Sequence, residues 1–117
     1  MQYVASYPHL GGFVIHGDAR QTLGRCIESL KRVCDDVVAV DSCSTDGSAE
    51  IVKNHAVKCI RYPWQGYGAA RMRAVQELQH CDYLFYLDSD EFLPMGAERV
   101  LSRWRNSHPD LPFYTMK

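Results

Sequence analysis

Four short apolar runs, each followed by a polar turn and a segment of helical spacing, constrain this chain more than any other feature. The first run is Phe13-Val14-Ile15, preceded by Gly11 and Gly12 and left through Gly17, and it reads as a buried strand. Asp18 has Gln21 three positions on, in capping-box form. Leu23, Cys26, Ile27, Leu30 and Cys34 then recur at helical spacing, so a helix is expected over residues 19–33. Asp36-Val37-Val38-Ala39-Val40-Asp41 is too short for a typical helix and is closed by the turn-forming Ser42-Cys43-Ser44-Thr45-Asp46-Gly47. Ala49, Val52 and Ala56 carry a weaker helical stripe, and a brief strand at 57–60 precedes Pro63. Gly66-Tyr67-Gly68 opens a helix over 67–79 whose inward residues Ala70, Ala74, Val75 and Leu78 include two small ones. Tyr83-Leu84-Phe85-Tyr86-Leu87, the most hydrophobic run, ends abruptly in Asp88-Ser89-Asp90-Glu91. Ala97, Val100, Leu101 and Trp104 mark a last helix, and Phe113-Tyr114-Thr115 begins a further strand.

Strands alternating with helices imply an α/β fold: a mostly parallel sheet, right-handed crossovers and helices on both faces. Ligands of such sheets bind outside the carboxyl ends of the strands, where strand order reverses. Residues 16–18, 41–47 and 88–91 should therefore meet at one edge. The 117 residues suffice for one domain or part of one, and 46% hydrophobic residues can fill its core. Thirteen basic against fourteen acidic side chains leave a net charge of -1, so no global field draws the chain to nucleic acid or an anionic membrane. No apolar run approaches the ~20 residues of a membrane span, and the N-terminus lacks the basic, apolar and cleavage regions of a secretory leader, so a soluble, unsecreted chain is expected. Five cysteines with no CxxC pair fit neither a disulfide framework nor a zinc knuckle; they suit a reducing cytosol, where buried thiols act as small hydrophobes.

Asp88 and Asp90 stand one residue apart, which on a strand points both carboxylates to one side. Two such groups repel unless one is protonated or a cation neutralises both, and hard oxygens suit Mg2+ or Mn2+. The plainer reading is a solvated acidic loop that also favours the dipole of the following helix. Asp41 ends the second strand, where a carboxylate can accept from a base N–H or a ribose hydroxyl; Ser44 or Thr45 is expected to cap the next helix. Gly66 and Gly68 with Arg71 offer free backbone N–H groups and a guanidinium for phosphate oxygens, although the full dinucleotide and phosphate-loop patterns are absent. The histidines lack HxxxH or His–Cys spacing, so His9, His55, His80 and His108 read as surface or satisfied residues, with His16 set apart by its strand-end position. Trp64 and Tyr67 can stack on a base or sugar, yet burial of aromatic area is their commoner use, and neither is assigned to the site.

Taken in order, Phe13-Val14-Ile15, the segment from Val38 through Asp41 to Gly47, Gly66-Tyr67-Gly68-Ala69-Ala70-Arg71 and Leu87-Asp88-Ser89-Asp90-Glu91 resemble family 2 glycosyltransferases of the GT-A fold. The resemblance covers residues 11–95. Its wording is most similar to bacterial enzymes that decorate lipopolysaccharide core or other surface glycans. It implies a Rossmann-like donor-binding half, a nucleotide-diphosphate sugar, usually a UDP-sugar, as donor, and transfer with inversion to a glycan or lipid-linked acceptor. Carried onto this sequence, Asp41 would hold the base, Arg71 would lie near the phosphates, Asp88 would contact ribose or sugar, and Asp90, beside Asp88, would bind Mn2+ or Mg2+. Cys43 stands where the family commonly has glycine, and Met72 where asparagine is usual. The family domain runs to roughly twice this length, so residues 1–117 read as one truncated domain whose catalytic base lies downstream. The expected location is cytoplasmic, at the inner face of the membrane. If the chain ends at Lys117, a sheet edge is left unpaired and self-association follows. Two alternatives remain open: a non-catalytic nucleotide-sugar-binding module and a nucleotidyltransferase-like α/β enzyme.

Overall fold

A computed structural model of the chain describes residues 8–107 and residue 110. Its elements alternate as the apolar runs require: β1 (Leu10–His16), α1 (Leu23–Val33), β2 (Asp36–Asp41), α2 (Ser48–Asn54), β3 (Lys58–Arg61), α3 (Tyr67–Glu77), β4 (Tyr83–Asp88) and α4 (Ala97–Asn106). The four strands form a sheet of order β3-β2-β1-β4 with every neighbouring pair parallel. From β1 the chain steps outward through β2 to β3, then crosses back to lay β4 on the other side of β1. That reversal puts the switch point between β1 and β4, where Ile15 pairs with Asp88.

Side chains alternate across the sheet and supply two cores. Val14, Ala39 and Leu87 face a layer built from Leu23, Ile27 and Leu30 of α1, Val52 of α2 and Leu101 of α4. Phe13, Ile15, Val38, Val40 and Ile60 point the other way, against Ala70, Ala74 and Leu78 on the α3 side. Leu23, Ile27 and Leu30 are fully buried, and burying each contributes about 1.5–3 kcal/mol. The two alanines let α3 lie close to the sheet. No helix among the described residues is long and apolar enough to cross a membrane.

Three local details differ from the sequence reading. Gly11 and Gly12 lie inside β1 rather than ahead of it. A Cβ on Gly11 would sit 2.8 Å from the Cys81 sulfur, and one on Gly12 would sit 2.6 Å from the Cys34 sulfur, so the two glycines admit a thiol on each face of the strand. Secondly, Asp18 does not cap α1, because its carboxylate accepts the Thr45 N–H at 2.8 Å; α1 starts at Leu23 behind Thr22, which makes no side-chain cap bond. Thirdly, neither Ser44 nor Thr45 caps α2. Gly47 occupies that position at φ 92°, and the Asp46 carboxylate takes the Ser48 N–H at 3.0 Å and its hydroxyl at 2.5 Å. The expected strand at 113–115 and His108 lie outside the described residues.

Candidate active site

The carboxyl ends of β1 and β4 and the start of α1 enclose a cleft of about 420 Å3 lined by Asp18, Thr22, Tyr67, Tyr86, Asp88 and Asp90, among others. Its acidic wall is a fastened turn. Glu91 donates its backbone N–H to the Asp88 carbonyl at 2.9 Å, while its carboxylate accepts the Asp88 N–H at 2.8 Å. Thr22 donates its hydroxyl to the Ser89 carbonyl at 2.8 Å, so the first residues of α1 hold the turn against the sheet. The Cys26 thiol lies beneath, 3.6 Å from the Asp88 carbonyl. Burial pushes this thiol up to about 12, with Glu91, Asp88 and Asp90 adding to the rise, so it stays protonated and takes no part as a nucleophile.

The two aspartates are held differently. Asp88 accepts a short hydrogen bond from the Tyr86 hydroxyl. Burial and that carboxylate together raise the Tyr86 phenol to about 12, while Arg71 opposes the rise. The Arg71 guanidinium lies over the Tyr86 ring, 5.4 Å from its centre, which links Arg71 to Asp88 through one aromatic side chain. Asp90 is exposed and makes no hydrogen bond or ion pair among the described residues. An open carboxylate next to a second, oriented one is a donor set that fits Mn2+ or Mg2+, hard cations that keep part of their shell for water and phosphate oxygens.

Asp41 and Arg71 do not line this cleft. Asp41 is 1% exposed at the end of β2, where its carboxylate accepts the Ser44 N–H at 2.8 Å and the Ser44 hydroxyl at 3.1 Å. Buried His16 lies alongside, with Nδ1 4.0 Å from the Asp41 carboxylate and Nε2 without a hydrogen-bond partner among the described residues. The loop that follows turns on Cys43, whose φ of 65° is the left-handed conformation glycine adopts freely. Tyr67, Thr22 and Glu91 are site residues that sequence reasoning leaves unassigned. Tyr67 had a signal, its place beside the glycine pair, where it meets Trp64 edge-on at 4.8 Å. Glu91 had one too, its place in the 88–91 stretch, which it closes through local bonds to Asp88, whereas Thr22 had none, because its role comes from a contact between α1 and a turn 67 residues away.

A parallel α/β sheet with an acidic cleft at its switch point defines the class: a Rossmann-like protein of the GT-A type, with helices on both faces. Residues 14–115 match the profile of glycosyl transferase family 2, and the chain belongs to that family. It is 34% identical over 97 residues to the lipopolysaccharide core biosynthesis glycosyltransferase LpsC of Rhizobium meliloti, covering 79% of this chain and 35% of the relative. An uncharacterised glycosyltransferase of Rickettsia felis is 33% identical over 84 residues, covering 72% of this chain and 29% of its own length. The fold matches S. aureus TarS 1-349 in complex with UDP at a TM-score of 0.68 and 20% identity, over 85% of this chain and 32% of that one. It also matches a Pyrobaculum calidifontis mannosyltransferase in complex with GDP-Man and Mn2+ at 0.66 and 19% identity, over 84% and 32%. This chain thus spans about a third of the length of the proteins it resembles.

Proposed function

We propose that this chain is the donor-binding portion of a metal-dependent, inverting glycosyltransferase that takes a UDP-sugar and serves cell-envelope glycan synthesis on a glycan or lipid-linked acceptor. The observation that carries the reading is the Asp88–Asp90 pair at the switch-point cleft, one carboxylate oriented by Tyr86 and the other open. Relatives and structural neighbours support it: one bears a lipopolysaccharide-core name, one is complexed with UDP, and one with a nucleotide sugar and Mn2+.

In this reading Asp90, with Asp88, would hold Mn2+ or Mg2+, which would supply positive charge to offset the negative charge that develops on the leaving group. Asp88, fixed by Tyr86, accepts from a ribose or sugar hydroxyl. Arg71, over the same ring, presents its guanidinium to the phosphates. Asp41 receives the nucleobase at the end of β2, exchanging part of its Ser44 bonding for a base N–H. Inversion further requires a carboxylate to deprotonate the acceptor, and that base is supplied outside this chain.

Calorimetry with UDP and Mn2+ tests the assignment. The native chain should bind UDP only with the metal present, and Asp90→Ala should abolish that metal-dependent binding while the far-UV circular dichroism is unchanged. Absence of heat with the native chain, or equal binding by the variant, overturns it. Binding without transfer by the 117-residue chain would agree with its covering only 35% of its relative.

A further inference from the structure

The amino ends of the strands carry a second cluster. One ligand-capable atom from each of His9, Asp36, His80 and Cys81 lies within 4.8 Å of all the others. The linear sequence hides this, because the four residues precede or open three different strands. β2 and β4 flank β1, so Asp36 at the start of β2, His9 just before β1 and the His80–Cys81 pair before β4 converge. We propose that these four side chains form a binding site for Zn2+, separate from the carboxylate cleft.

The ligand chemistry selects the ion. Two imidazoles, one thiolate and one carboxylate are a borderline-soft set that suits tetrahedral Zn2+, whereas Mg2+ and Mn2+ prefer all-oxygen shells. Asp36 Oδ2 lies 2.8 Å from His9 Nε2 and 2.7 Å from His80 Nε2, so one carboxylate oxygen already gathers both rings. Tetrahedral Zn2+ at usual bond lengths separates its ligand atoms by about 3.3–3.8 Å. That spacing falls between these contacts and the 4.8 Å limit of the cluster.

The scaffold beneath is fixed by backbone bonds. Asp82 donates its N–H to the His9 carbonyl at 2.8 Å, and His9 donates its own to the Asp82 carboxylate at 2.7 Å. Gly11 leaves the space that the Cys81 sulfur fills. Asp35 stands 3.8 Å from His9 Nδ1, so a further carboxylate lies near the ring's other nitrogen without a hydrogen bond to it. At ~3.3 Å per residue along β1, the cluster lies about 20 Å from the Asp88 end of the sheet, so the two sites load independently. Closing four ligands from three strand starts around one ion would tie the amino edge of the sheet together.

The test uses the full 117-residue chain, reduced and stripped of metal, in an Asp88→Ala, Asp90→Ala background that disables the carboxylate cleft. Zn2+ should bind at one equivalent and raise the melting temperature. Co2+ should give tetrahedral visible bands with thiolate-to-metal charge transfer. Cys81→Ser should remove the charge transfer, and His80→Gln should weaken binding by about tenfold or more. Circular dichroism confirms that each variant folds, and if one does not, the other decides. Absence of stoichiometric Zn2+ uptake, or uptake equal in the His80→Gln and Cys81→Ser variants, overturns the proposal and leaves the cluster as hydrogen bonds between loops.

Discussion

Cys43 shows how one residue carries the imprint of a site. Its φ of 65° costs a side-chain-bearing residue about 1–3 kcal/mol, part of which glycine would return as unfolded-state entropy. Cys43→Gly should therefore stabilise the chain by about 1 kcal/mol in urea denaturation, and a loss of stability would show that its side-chain packing outweighs the backbone strain. At Gly12 the balance is reversed. A new Cβ would stand 2.6 Å from the Cys34 sulfur and 3.2 Å from a Leu30 methyl, so Gly12→Ala should cost about 1–3 kcal/mol, with part recovered by adding Cys34→Ala. If the single variant is as stable as the native chain, β1 and α1 can shift apart more easily than their packing indicates. The Asp-Ser-Asp wall was legible because its spacing and its place after an apolar run are written in sequence. The hydrogen bonds that set its members apart were not: Tyr86 and Glu91 bond Asp88 through the local geometry of the strand end and turn, and Thr22 reaches Ser89 through a tertiary contact.

Elements were readable wherever an apolar period was strong, as in β2 and α1, and less so where packing decided the boundary. The glycines of β1 look like a break until the flanking thiols are in place, and no local pattern gives Arg105 its role in α4. That buried guanidinium donates to the Pro8 carbonyl at 2.6 Å and to the Asp35 carboxylate at 2.5 Å, clipping α4 to the segments that open β1 and β2. Because Asp35 is partly exposed, Arg105→Leu should cost about 2–4 kcal/mol rather than the full penalty of a buried pair. Arg105→Lys should restore little, as an ammonium cannot span both acceptors, and chemical denaturation of the two variants would reveal any such rescue. On the opposite face, Lys58 and then Arg73 hold the half-buried Glu77 carboxyl below its usual range, tying α3 to β3. A carboxyl lowered in the folded state adds stability that is present above its ordinary value of 4.5 and lost as pH falls through the folded one. The melting temperatures of native and Glu77→Gln chains should differ at neutral pH and converge in acid; a constant gap would mean that the ion pairs contribute nothing to stability.

For the whole molecule, family membership and partial coverage pull in different directions. The parallel sheet is present with both its cores, yet the described strands end at β4, which pairs with β1 and has no strand on its outer side among the described residues. Such an edge offers a row of backbone donors and acceptors that a second strand can join. Leu84, 37% exposed in β4, adds apolar area next to that row. We therefore propose that the 117-residue chain associates through β4. Sedimentation velocity should show larger species growing with concentration, and Leu84→Lys should suppress them, since a charge on an edge strand opposes pairing. The carboxylate cleft lies at the carboxyl end of β4 and does not include Leu84, so under the proposed function UDP binding with Mn2+ should survive that substitution. A native chain that stays monomeric at high concentration would refute association outright. Association that persists in the Leu84→Lys variant would move the contact away from β4, to a surface such as exposed Trp64 ahead of α3 and Tyr67 and Met72 on it. Loss of UDP binding in that variant would instead couple the edge to the cleft, because Ile15, at the cleft, pairs with Asp88 in the same register that sets Gly11 opposite Leu84.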